Sequence, residues 1–222
     1  FIRPLPQKAK KWKAIHKLEN KFVALYSGNI ALTQGLETVI EAAASLSHIP
    51  EIAFVIAGES KALKRLQKYC LACGADNILL LPLQPREKLQ EMLAAADVGL
   101  VVQKRNVISF NMPSKIPLLL ASGSPIVASV PASGTAARAV RQSGGGVVVA
   151  PESPQDLAAA IMSLYSNPAL TTKLGEKARK FAIERYSFEQ ALIAYEAVFS
   201  QAISRKVPAI SSAMEKKLGV RS

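Results

Sequence analysis

Cysteine is scarce in this sequence: Cys70 and Cys73 are the only two in 222 residues. That excludes the disulfide framework of small secreted domains and fits a reducing, cytosolic compartment. Histidine is as rare, and neither His16 nor His48 has a nucleophile and carboxylate arranged around it, so nothing supports a hydrolase triad. No apolar run approaches the roughly 18 to 20 residues of a membrane span, and no basic segment followed by an apolar one opens the chain. Acidic residues are also in deficit, with 16 Asp and Glu against 28 Lys and Arg, a formal charge of +12. Much of the excess lies at the ends, in Lys8, Lys10, Lys11, Lys13, Lys17 and Lys21 and in Arg205, Lys206, Lys216, Lys217 and Arg221. These runs read as a solvated surface or as a patch for an anionic membrane. They lack the interleaved aromatics that stack bases, so no nucleic-acid partner is expected.

What is present is a globular core, with 50% hydrophobic and 20% charged residues. The start, Phe1 to Pro6, has no initiator Met and reads as an extended, proline-stiffened connector with sequence expected upstream. From residue 22 short apolar runs alternate with helical periods, the pattern of a parallel sheet covered on both faces. Six strands are predicted, at Phe22–Tyr26, Ile52–Ala57, Ile78–Leu81, Val98–Val102, Ile126–Ala128 and Val147–Val149. Between them Leu36, Val39, Ile40 and Ala43 form one helical stripe and Leu63, Leu66, Cys70 and Cys73 another. Leu89, Met92 and Leu93 make a third stripe, and Ile116, Leu119 and Leu120 a fourth. The fold class is α/β, a Rossmann-like doubly wound parallel sheet. Three further helices are predicted near 155–165, 168–186 and 188–204, then a frayed helix or disorder from Val207. The expected organisation is a linker at 1–20, the domain at 21–204 and a basic tail at 205–222.

Ligands of open α/β sheets bind at the carboxyl ends of the strands, so the loops there supply the candidate site. The first strand ends in Ser27-Gly28-Asn29, with Gln34-Gly35 opening the next helix; Gly28 admits a ligand's close approach or serves a tight turn. The two further glycines of a dinucleotide fingerprint are missing, which disfavours a nicotinamide dehydrogenase. The second strand ends in Gly58-Glu59-Ser60 and the third in Leu83-Gln84-Pro85. The fourth leads through 103–111 to Pro113-Ser114-Lys115, where proline suits a helix start, serine can cap it, and lysine is either a phosphate contact or a solvated first-turn residue. Ala121-Ser122-Gly123-Ser124-Pro125 reads as a structural turn, and Ser143 to Gly146 as a helix stop or as backbone open to a sugar. Cys70-x-x-Cys73 has redox or half-zinc spacing, yet it sits in an apolar stripe without a second ligand pair and reads as core.

As an ordered set these loops resemble the C-terminal domain of the GT-B glycosyltransferases, in the retaining family 4, over about residues 20 to 200. The carriers are Tyr26-Ser27-Gly28-Asn29, Gln34-Gly35-Leu36-Glu37, Ile56-Ala57-Gly58, Asn77-Ile78, Ala94 to Asp97, Pro113-Ser114-Lys115 and Ala121 to Ala128. The sequence is most similar to colanic-acid and O-antigen polysaccharide enzymes of fucosaminyl transferase type. The resemblance implies a cytoplasmic site for a nucleoside-diphosphate sugar, an acceptor-binding N-terminal domain outside this chain, and no metal or other cofactor. It implies substrate contacts at Gly28, Asn29, Gln34, Gly58, Glu59, Leu83, Gln84, Pro113, Ser114 and Lys115, with the base near Leu83 and Gln84, and assigns no catalytic residue. A basic surface facing an anionic membrane or a lipid-linked acceptor is expected with it. Two departures stand out: the family's glutamate pair falls on Phe110 and Leu118, and its first-loop arginine and lysine on Asn29 and Gln34. Lys115 is the candidate substitute. A non-catalytic scaffold and a sugar-nucleotide epimerase of the same architecture are the alternatives.

Overall fold

The computed structural model describes residues 2–107 and 112–218; Phe110, Asn111 and Arg221 lie outside them. The described residues up to Ala182 form one compact unit, and those from Ile183 a second. In the first, all six expected strands form: β1 (Phe22–Ser27), β2 (Ile52–Gly58), β3 (Ile78–Pro82), β4 (Val98–Val102), β5 (Ile126–Ser129) and β6 (Gly146–Val149). They pair in parallel in the order β3-β2-β1-β4-β5-β6. The helices are α1 (Pro6–Ile15), α2 (Glu37–Ser45), α3 (Ser60–Cys73), α4 (Arg86–Ala94), α5 (Lys115–Ser122), α6 (Thr135–Ser143), α7 (Pro154–Tyr165), α8 (Pro168–Tyr186) and α9 (Phe188–Leu218).

Strand alternation divides the core into two layers. In β1, Val23 and Leu25 pack with Met92, Ile116, Leu120 and Val140 on one face. Ala24 and Tyr26 pack with Val39, Ile40, Leu66 and Leu157 on the other. Strand β4 carries Gly99 where a Cβ would come within 2.5 Å of the Leu119 side chain. The missing side chain lets α5 lie close on the sheet, and Lys115, one turn before Leu119, then reaches the carboxyl edge of β1. The turn after α5 is structural as expected: Gly123 ends the helix in the left-handed conformation, and the Ser124 hydroxyl lies 3.3 Å from the carbonyls of Leu93 and Ala96.

Two features differ from the pattern reading. Within the stretch expected as a linker, residues 6–15 form α1, whose Trp12 is buried in the first layer. Lys13 Nζ reaches Asp97 Oδ2 at 2.6 Å, and that same oxygen accepts the Val23 N–H at 2.8 Å, so α1 is tied to the start of the sheet. Proline at the first helical position suits the start of α1, and the surrounding lysines dilute its apolar stripe. Helix α6 was not read from sequence because its buried face is largely alanine, at Ala136, Ala137 and Ala139. Helix α9 continues past Val207 to Leu218, the helical of the two outcomes expected for that segment, and within the second unit it exposes Phe188, Leu192, Tyr195 and Phe199. Among the described residues no helix is long and apolar enough to cross a membrane.

Trp12→Ala should test whether α1 belongs to the cooperative unit. Truncating a buried tryptophan costs about 3 to 5 kcal/mol, so the urea midpoint of the single transition is expected to fall; an unchanged midpoint would mean α1 is an appendage.

Candidate donor-binding site

A right-handed crossover leaves β1 toward β2 on one side, while the chain returning from β3 enters β4 on the other, so the connections diverge between β1 and β4. The carboxyl ends of these strands open into a cleft of about 380 Å³. Of the predicted site residues, Gly28, Asn29, Gln34, Leu83, Gln84, Pro113, Ser114 and Lys115 line it. Gly58 and Glu59 do not. A Cβ on Gly58 would lie 2.3 Å from the Ile30 side chain and 2.9 Å from the Gly28 carbonyl, so packing beneath the first loop accounts for that glycine. Glu59 is exposed just ahead of α3.

Lys115 dominates the electrostatics. Its ammonium nitrogen is buried without a hydrogen-bond partner and sits 3.7 Å from the centroid of the Tyr26 ring. Desolvation disfavours the charged form and pulls its pKa down to about 7. Gly28 has φ +137°, and a Cβ built there would lie 3.5 Å from Lys115 Nζ, so the loop and the lysine converge on one point. The Gly28 N–H donates to the Ala57 carbonyl at 3.0 Å and is already used by the sheet. Ser114 supplies no side-chain cap to α5, contrary to the sequence expectation; its φ and ψ are helical, and a capping residue needs extended backbone. Gln84, also in the lining, donates from Nε2 to the Pro82 carbonyl at 2.9 Å.

Sequence reasoning missed Tyr26 as part of the site, together with Ser27, Leu89 and Met92 in the lining. Tyr26 reads as an ordinary inward strand residue, and nothing in a one-dimensional pattern places its ring under an amine far along the chain. Leu118, where the family's second glutamate was expected, also lines the cleft. Among the described lining residues there is no carboxylate and no second cation. No group of three or more His, Cys, Asp or Glu side chains among the described residues could hold a metal ion.

The family model for glycosyl transferases group 1 matches residues 8–181, the stretch that builds this sheet and cleft. The chain belongs to that family. It is 37% identical over 163 residues to the putative colanic acid biosynthesis glycosyl transferase WcaI of Escherichia coli strain K12, covering 73% of this chain and 40% of that protein. The fold of this chain also recurs in Anabaena Alr3699/HepE crystallised with UDP, at TM-score 0.77 and 20% identity, covering 89% of this chain and 54% of that one. The C-terminal domain of the group 1 protein LpcC from Francisella tularensis matches at TM-score 0.69 and 19% identity, covering 84% of this chain and 96% of that domain. The chain thus spans about two fifths of the WcaI relative and nearly all of a separately crystallised C-terminal domain.

The buried lysine makes a stability prediction for the ligand-free protein. An unfolded lysine titrates near 10.4 and the folded one at about 7, so between those values the unfolded chain holds the extra proton. Unfolding free energy should then rise with pH across that window, by up to about 1.4 kcal/mol per pH unit from this group. Lys115→Met is expected to remove the rise and to stabilise the protein at pH 6, where burial of the cation costs most; chemical denaturation at pH 6, 8 and 9.5 measures both.

Proposed function

We propose that the cleft holds the diphosphate of a nucleoside-diphosphate sugar, and that this chain is the donor-binding part of an enzyme transferring the glycosyl group with retention at the anomeric carbon. The unpartnered Lys115 ammonium at the strand switch point carries the reading: it is a buried cation without an anion, in the place where open α/β sheets receive ligands. When the bond between the anomeric carbon and the diphosphate breaks, negative charge grows on the leaving oxygens. A cation already fixed and desolvated beside them stabilises that charge more strongly than a solvated one. The start of α5 adds its dipole in the same direction. On this reading Gly28, Asn29 and Ser114 join Lys115 around the diphosphate, and Leu83 and Gln84 take the base; all of them line the one cleft.

Acceptor binding and the remaining reacting groups belong, on this reading, to the part of the relatives that this chain does not span. Kinship with the WcaI protein supports a role in surface polysaccharide synthesis from cytoplasmic donors. The exposed Lys10 and Lys11 on α1, and Lys17 beyond it, support apposition to an anionic inner membrane surface where a lipid-linked acceptor would lie.

Titration calorimetry with UDP, GDP and ADP tests the donor site. One nucleotide should bind saturably and weaken roughly ten- to hundredfold in Lys115→Ala, the range of a hydrogen bond to a charged group. No binding to this chain or to the full-length protein would support the scaffold alternative instead. Protonation supplies a second check. A bound diphosphate raises the lysine pKa above about 7, so at pH 8 binding should take up close to one proton and affinity should fall as pH rises further. Repeating the titration in buffers of different ionisation enthalpy reads the uptake directly, and Lys115→Ala should abolish it.

A further inference from the structure

We infer that Tyr26 is the positioning residue of this cleft: its ring face holds the Lys115 ammonium on one wall while its hydroxyl holds the β1–α2 loop on the other. The inference rests on the donor-site reading for what the cation is aimed at, but not for the contact itself. Tyr26 is fully buried, and the Lys115 nitrogen stands 3.7 Å over its ring. Its hydroxyl donates to the Asn29 carbonyl and lies 3.5 Å from Gln34 Oε1. Three lining residues from two separate loops therefore meet one side chain that does not itself line the cleft.

The choice of an aromatic partner has a chemical reason. A carboxylate under Lys115 would stabilise the ammonium but neutralise it and repel a phosphate. A ring face attracts the cation through its quadrupole and accepts no conventional hydrogen bond, so the donors of the ammonium remain for a ligand. Burial raises the Tyr26 pKa, so the phenol stays neutral and never becomes a counter-anion itself. Among the described lining residues Lys115 is the only titratable group; beside its amine stand the Tyr26 ring of β1 and Gly28 of the first loop. The position of the lysine titration therefore reports the ring beneath it.

The test keeps the shape of the side chain and changes its electrostatics. In the full chain labelled with carbon-13 at lysine Cε, Lys115 is titrated by NMR in the wild type, in Tyr26→Phe, and with trifluoro- and pentafluorophenylalanine at position 26. Tyr26→Phe keeps the ring face, so the Lys115 pKa should hold while UDP affinity falls roughly two- to tenfold through loss of the hydroxyl's hold on the Asn29 carbonyl. Fluorination weakens and then reverses the ring quadrupole. The Lys115 pKa should step downward along the series by about 0.5 to 1.5 in total, and inorganic pyrophosphate binding at pH 7 should weaken roughly three- to thirtyfold. A Lys115 pKa that stays flat along the isosteric series overturns the inference. Should the wild type bind neither UDP nor pyrophosphate while the pKa still steps, the donor-site reading falls and the positioning role of Tyr26 stands.

Discussion

Parallel pairing of β1 with β4 brings together two loops that are distant in sequence, and the site depends on it. Ala24 pairs with Val98 and Leu25 with Gly99, which sets the height at which the first loop and the start of α5 face each other. Gly99 then admits Leu119 against the strand. A side chain there would lift α5, and Lys115 with it, away from the Tyr26 ring. The position of one ammonium nitrogen thus follows from strand register and from a glycine in a strand, neither of which lines the cleft, and from the turn of a helix that does.

Burying that ammonium is unfavourable, and the surroundings offset the cost only in part. The ring face of Tyr26 contributes attraction, and the first turn of α5 opposes a cation through its dipole. Desolvation is what lowers the lysine pKa. An anion entering the cleft would satisfy the ammonium and the helix start together, so the energy withheld in the empty state favours ligand in the bound one. The +12 charge of the chain acts at longer range by raising the local concentration of anions, and it weakens as salt is added.

Strands and their order of use were legible in the sequence because buried parallel strands must be apolar throughout, as β2 and β4 are. The loops at the carboxyl edge were legible because glycine, proline and a first-turn lysine mark them. What escaped was of another kind. Helix α1 is held by Trp12 and by the Lys13 to Asp97 contact, both defined only once the sheet exists. Gly58 looked like ligand-facing glycine and serves Ile30, since a close approach by protein and one by ligand leave the same residue behind. Tyr26 obeyed the strand pattern so well that its second role left no trace in it.

A cleft with one cation and, among the described lining residues, no carboxylate distributes its tasks unevenly. Charge can select a phosphorylated ligand but not one base or sugar from another, because every nucleoside-diphosphate sugar presents the same diphosphate. Discrimination must come from groups that lose a hydrogen bond with the wrong ligand, since a site built to hydrogen-bond rejects analogues far more strongly than an apolar wall does. On the donor-site proposal those groups would be the amides of Gln84, Asn29 and Gln34, while Leu83, Leu89, Met92 and Leu118 line the cleft as apolar wall. Leu118 lines the cleft where the resemblance implied a glutamate, so on the same proposal a ribose would meet apolar packing there rather than a charged hydrogen bond. Lys115 would then govern how tightly an anion is held, and the amides which one.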